Sequence, residues 1–178
     1  GTPDQANSLS AYVDRFEQSL IGASNSPDST PALNAVVNTA KDLAAKIGIV
    51  SDDIQTQRQQ ADAAIASEVE GLNTALENLY DLNRQILARK GTGGDAHGLL
   101  DQQQVLIDQV ASAVPIRVLR ADNGALRLYS RDGVALLDGP PAQFEFTRTP
   151  VITPDMTLAA NSLSDITVNG NPVPQYGT

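Results

Sequence analysis

The chain of 178 residues has no cysteine and no tryptophan, and only 4% of its side chains are aromatic. Without cysteine there is neither a disulfide framework nor a thiolate metal site. So few aromatics leave Leu, Val, Ile and Ala to build a core. No apolar run approaches the ~20 residues that a bilayer span requires. The first residues, Gly-Thr-Pro-Asp-Gln, have neither the basic region nor the apolar stretch of a cleavable signal peptide. Positive charge is also scarce, and the formal net charge is −9 at pH 7. A surface of that sign repels nucleic acid and anionic lipid. The length still allows a real core, in one domain or two small ones.

What the chain does have is one long uninterrupted stretch. From Ser51 to Lys90 there is no proline and a single glycine, Gly71. Ile65, Leu72, Leu79 and Ile86 recur every seventh residue, and Val69, Leu76 and Asn83 follow the first three by four. That spacing draws an apolar stripe along an amphipathic helix bound for helical partners. At 1.5 Å per residue the helix would reach roughly 60 Å. Asp52 and Asp53 suit its first turn, Arg89 and Lys90 its last. Asn83 falls where the stripe wants an apolar side chain. A buried asparagine fixing register between helices and a partly wetted edge position account for it equally. Gly71 fits a tolerated surface glycine and a close helix crossing equally well.

Shorter helices flank this one. Ser8 or Ser10 can cap a first helix, with Tyr12, Val13, Phe16 and Leu20 on one face and Gly22 at its end. After the turn residues Ser24–Thr30, Thr30-Pro31 reads as an N-cap and first helical position. The second helix then carries Leu33, Val36, Val37, Ala40, Leu43 and Ile47 and closes at Gly48. Asp95 can cap a fourth helix lined by Leu99, Gln103, Leu106, Ile107 and Val110, with Pro115 at its end. Short links between four helices predict an antiparallel bundle whose long third member overshoots the rest.

Beyond Pro115 the period turns from helical to alternating. Ile116 and Val118, then Leu126 and Leu128, flank Asp122-Asn123-Gly124, a strong hairpin signal. Arg131-Asp132-Gly133 turns the chain again before Val134–Leu137. Gln143–Thr147 and Asp165–Val168 read as further strands, the latter followed by Asn169-Gly170. Composition breaks at the same place. Residues 1–112 hold fifteen acidic and seven basic side chains, residues 113–178 six and five, and seven of the ten prolines lie at Pro115 or later. The predicted fold is α+β. An elongated antiparallel helical bundle (1–112), with one long helix at about 51–90, precedes a small antiparallel β-hairpin module (113–178). Ile65, Val69, Leu72, Leu76, Leu79 and Ile86 are expected to be core within one chain, covered by the preceding helices and the Leu99–Val110 helix. Assembly contacts then fall to the polar faces and the β module.

The residues give little support to catalysis. His97 is the only histidine. With Asp95 and Asp101 it makes a poor ligand set beside the three or four converging N and S ligands of structural zinc. A solvated helix start explains it better. No Gly-x-Ser-x-Gly elbow accompanies it, and Gly91, Gly93 and Gly94 lack the pattern and lysine of a phosphate loop. No enzymatic activity, cofactor or metal is expected.

Several motifs recur in a recognisable order. Leu72-Asn73 and Leu82-Asn83-Arg84-Gln85-Ile86 lie ten residues apart. They are followed by Leu99-Leu100-Asp101-Gln102, by Pro115-Ile116-Arg117-Val118, by Asn123-Gly124-Ala125-Leu126, and by Gly133 and Leu136-Leu137-Asp138-Gly139. From about Leu9 to Gly139 the chain resembles the flagellar hook-associated protein 1 family (FlgK), whose members join hook to filament. Gln103-Gln104 depart from the family's usual Arg-Asp, and Val151 onward carries no family landmark. The resemblance implies a non-enzymatic axial component of the bacterial flagellum. Such proteins are extracellular and leave through the flagellar type III apparatus without a cleaved signal. Implied partners are neighbouring copies, the hook protein, the second junction protein and, for the full-length protein, an export chaperone. It also implies an internal fragment that does not polymerise unaided. Another secreted helical interaction protein, such as an adhesin or a phage-tail or secretion-system tip component, is the alternative.

Overall fold

The computed structural model of the chain describes residues 5–121 and 124–173. Among them are three α-helices, α1 (Leu9–Asn25), α2 (Thr30–Gly91) and α3 (His97–Ala113). Six short strands follow: β1 (Ile116–Arg120), β2 (Leu126–Ser130), β3 (Ala135–Leu137), β4 (Phe144–Glu145), β5 (Thr167–Val168) and β6 (Asn171–Pro172). The fold is α+β, with fewer helices than the four expected. The helices anticipated over Thr30–Gly48 and 51–90 are one. Gly48 has no left-handed backbone and nothing within 4 Å of where a Cβ would stand, so nothing there turns the chain. A glycine in that setting costs a helix about 1 kcal/mol without ending it. The cap signature Ser51-Asp52-Asp53 goes unused, because those N–H groups already bond to the preceding turn.

Residues group into two compact units, Gly1–Gln59 with Ile152–Pro154, and Gln60–Val151 with Asp155–Thr178. The first is a helical hairpin. Ser8 caps α1 by accepting the Ala11 N–H at 3.2 Å. Ser29, one residue before the expected Thr30, accepts from Ala32 at 3.4 Å as α2 begins. Ser19 and Thr39 hydroxyls share a 2.7 Å hydrogen bond, and Lys46 Nζ lies 6.0 Å from the Tyr12 ring centre. Partner numbers that fall on one side as they rise on the other mark an antiparallel pair. Arg58 donates to the Thr153 carbonyl at 3.1 Å and holds the returning segment.

The second unit contains the apolar core. α2 ends in a Schellman closure: Gly94 N–H reaches the Arg89 carbonyl at 2.9 Å, Gly93 N–H reaches that of Lys90 at 3.1 Å, and Gly93 takes φ +73°. α3 then runs back along α2. Leu82 and Ile86 cluster with Leu99 and Leu100, while Leu72 to Leu79 meet Ile107 and Val110. Asp95 is not the N-cap of α3; Ala96 holds that place, and Asp95 Oδ1 accepts the His97 N–H at 2.9 Å. One sheet has order β1-β2-β3 and the other β4-β5-β6, all antiparallel. The β5–β6 turn uses Asn169 (φ 51°) and Gly170 (φ 76°), the double positive φ of a tight hairpin.

Candidate functional site

The chain beyond α3 meets α2 at three polar stations, Asp62, Asn73 and Asn83, the last two on strands and the first on a loop. Asn83 Oδ1 accepts the Leu126 N–H at 2.9 Å, and its Nδ2 donates to the Leu126 carbonyl at 3.3 Å. Asn73 treats Phe144 in the same way, at 2.9 and 2.8 Å. Each amide thus presents one acceptor and one donor to a single residue, as a neighbouring strand would. Asn83 clamps the start of β2 and Asn73 the start of β4. Asp62, buried at 7% exposure, accepts the Thr149 N–H at 2.9 Å, with Arg148 Nε 4.0 Å away. These bonds satisfy backbone groups that would cost about 1–3 kcal/mol each if buried unpaired.

Asn83 is therefore neither a register residue between helices nor a wetted edge. Its partner lies 43 residues away in the chain, and that of Asn73 lies 71 away, so no local pattern reveals either pairing. The available signal was a polar amide placed in or beside an apolar stripe. Asp62 was not singled out, and Asn73 stood only as part of the Leu72-Asn73 motif, with no partner assigned. Gly71 has open space where a Cβ would stand, so no close crossing occupies that point.

Around the stations the stripe divides. Leu72, Leu76, Leu79 and Ile86 are buried, Val69 is half-buried, and Ile65 keeps 38% exposure. Strands do much of the covering: Leu126, Leu128, Leu136, Leu137, Phe144 and Val168 share the cluster with α3 residues. Ile65 is left beside a mostly apolar groove of about 460 Å³, bordered also by Val69, Val114, Phe144 and Ile166.

The motif residues have separate places. Leu99 and Leu100 pack under the α2–α3 link, whereas Asp101 and Gln102 are exposed. Gln103, fully buried, accepts from Arg120 Nη1 at 3.2 Å and so joins α3 to β1; Gln104 donates to Asp108 at 2.8 Å. Gly124, Gly133 and Gly139 have φ of 81°, 86° and 95°, a region side chains resist, and each sits at a turn. Asn123 lies outside the described residues.

Titratable groups meet mainly on the outer side of β2. Tyr129 donates to Asp138 Oδ2 at 2.6 Å, and Arg127 Nε lies 3.1 Å from Oδ1. The hydrogen bond to Asp138, followed by desolvation and the carboxylate's charge, holds the Tyr129 phenol above its ordinary pKa. His97 is solvated, with Asp95 Oδ1 at 3.7 Å. No described helix is long and apolar enough to cross a membrane. The arrangement holds backbone segments in place.

A model of the flagellar hook-associated protein FlgK helical domain matches residues 2–171, well past Gly139, where the recognisable motifs stop. Flagellar hook-associated protein 1 of Salmonella typhimurium is 28% identical over 142 residues, which cover 79% of the chain and 26% of that protein. The Bacillus subtilis protein of the same name is 27% identical over 130 residues, covering 73% and 26%. The chain thus spans about a quarter of these curated relatives. The flagellar hook junction protein FlgK from Burkholderia pseudomallei has the same fold, with a TM-score of 0.79 and 18% identity. The match covers 98% of the chain and 31% of that protein.

Proposed function

Because the chain belongs to the family of the flagellar hook-associated protein FlgK helical domain, we propose that it is the helical domain of a structural protein joining hook to filament. The family match across residues 2–171 carries this reading. Clamped sheets on a continuous helix support it, since a junction must pass load between subunits without local unfolding.

In this reading the protein is a structural part with no catalytic role. Residues 1–112 form the helical part and 113–178 the β module. Leu72, Leu76, Leu79 and Ile86 serve as core, and Leu99 and Leu100 seat α3. The partners are neighbouring copies, the hook protein, the second junction protein and an export chaperone that binds the full-length protein. Export runs through the flagellar type III apparatus without a cleaved signal, to an extracellular position. Electron microscopy of cells lacking the gene tests this. Bare hooks without filaments are expected, with labelled protein located between the two in complemented cells. Normal filaments in the deletion strain would overturn the reading.

A further inference from the structure

We propose that the outer face of the β1–β2 ribbon docks on the acid-only stretch of α2 in a second copy of the chain. This rests on the junction reading and adds the surface by which neighbours meet. Leu126, Leu128 and Ser130 of β2 are buried, so Arg127 and Tyr129 face away from the core. Register places Arg117 opposite Tyr129 and Leu119 opposite Arg127, and directly paired residues share a face. The outer face therefore presents Leu119, 54% exposed, between Arg117 and Arg127, with Tyr129 alongside. An apolar centre with tyrosine and arginines is the composition that recurs at interface hot spots. Asp138 holds both Tyr129 and Arg127, which fixes their side chains in advance.

The complementary surface lies on the helix. From Gln60 to Asn83 there are five acidic residues and no basic one. Glu70, Glu77 and Asp81 are exposed, Glu77 also accepting from Gln143 Nε2 of its own chain at 3.4 Å, and, at seven and four residues apart, they fall within about 20° of one line along the helix. Arg84 continues the line, but its guanidinium is drawn 5.6 Å from the Tyr80 ring centre. The ribbon's inner face packs on its own α2, so its outer face points away from that helix and takes the acidic line of another copy. Two different patches in contact make a heterologous interface, which repeats from subunit to subunit and closes a ring when the rotation allows.

Cysteine pairs test this in the full-length protein, in assembled junctions made otherwise free of cysteine. Leu119→Cys combined with Glu77→Cys should yield intermolecular dimers and higher ladders with a short bismaleimide; each single variant should stay monomeric on denaturing gels. Reversing charge with Arg117→Glu and Arg127→Glu should abolish ring assembly, and adding Glu70→Arg and Glu77→Arg should restore it. Normal junctions that give no cross-link, or assembly untouched by the arginine reversals, overturn this interface and leave the junction role standing. A wild-type protein absent from the junction overturns both.

Discussion

The two halves of α2 differ although one continuous helix carries both. Before Asp62 no residue of the helix is buried, and Leu33, Val37, Ile47, Ile49 and Ile54 each keep about half their surface. α1 adds half-exposed Leu9, Val13, Leu20 and Ile21; Ile152 is the buried apolar side chain described in that unit. After Gln60, Leu76 and Leu79 are fully enclosed. Both halves space their apolar residues at three and four. What differs is the number of covering partners, one helix in the first unit and a helix with two sheets in the second. Amphipathic spacing specifies a face; burial needs elements on more than one side of it.

Leu72→Asp would break the comparison hardest. A carboxylate without a partner in the core should cost more than about 4 kcal/mol and abolish cooperative unfolding in urea; a melt close to that of the parent would remove Leu72 from the core. Next, Leu76→Ala should cost about 3 kcal/mol, against no more than about 0.5 kcal/mol for Val37→Ala in the first unit. Equal shifts in the two melts would erase the contrast. Asn83→Ala should cost about 2 kcal/mol by stranding the Leu126 N–H and carbonyl, with Asn73→Ala about half as costly because its site is wetter. Amide exchange at Leu126 and Phe144 should quicken in the matching variant only. Gly133→Ala, at φ +86°, should cost about 1 kcal/mol, read as a lower melting temperature. Gly48→Ala has open space and helical backbone, so it should gain up to about 1 kcal/mol and raise helicity by circular dichroism. A loss there would mean that the glycine accommodates a bend.

Helical spacing over 51–90 and turn chemistry after Pro115 made the α+β class legible. Gly48 misled, because a glycine and a following Ser-Asp-Asp look the same whether or not the chain has reason to reverse. The covering of the stripe was also hidden. Helical neighbours were expected, yet Leu126, Leu128 and Phe144 come from strands of five residues or fewer, whose pattern carries little information about what they face. The three stations were least legible. Asp62, Asn73 and Asn83 each bind backbone at least 43 residues away, and a backbone partner leaves no mark on residue identity.

Asn73 and Asn83 also set an angle around α2. At about 100° per residue, ten residues separate the two clamps by about 80° around the helix and 15 Å along it. The two sheets they anchor nevertheless share one apolar cluster, with Leu128 and Leu137 of the first packed with Phe144 and Val168 of the second. With the sheets joined in that cluster, the two amides fix how they are rotated about α2 as well as where they sit along it.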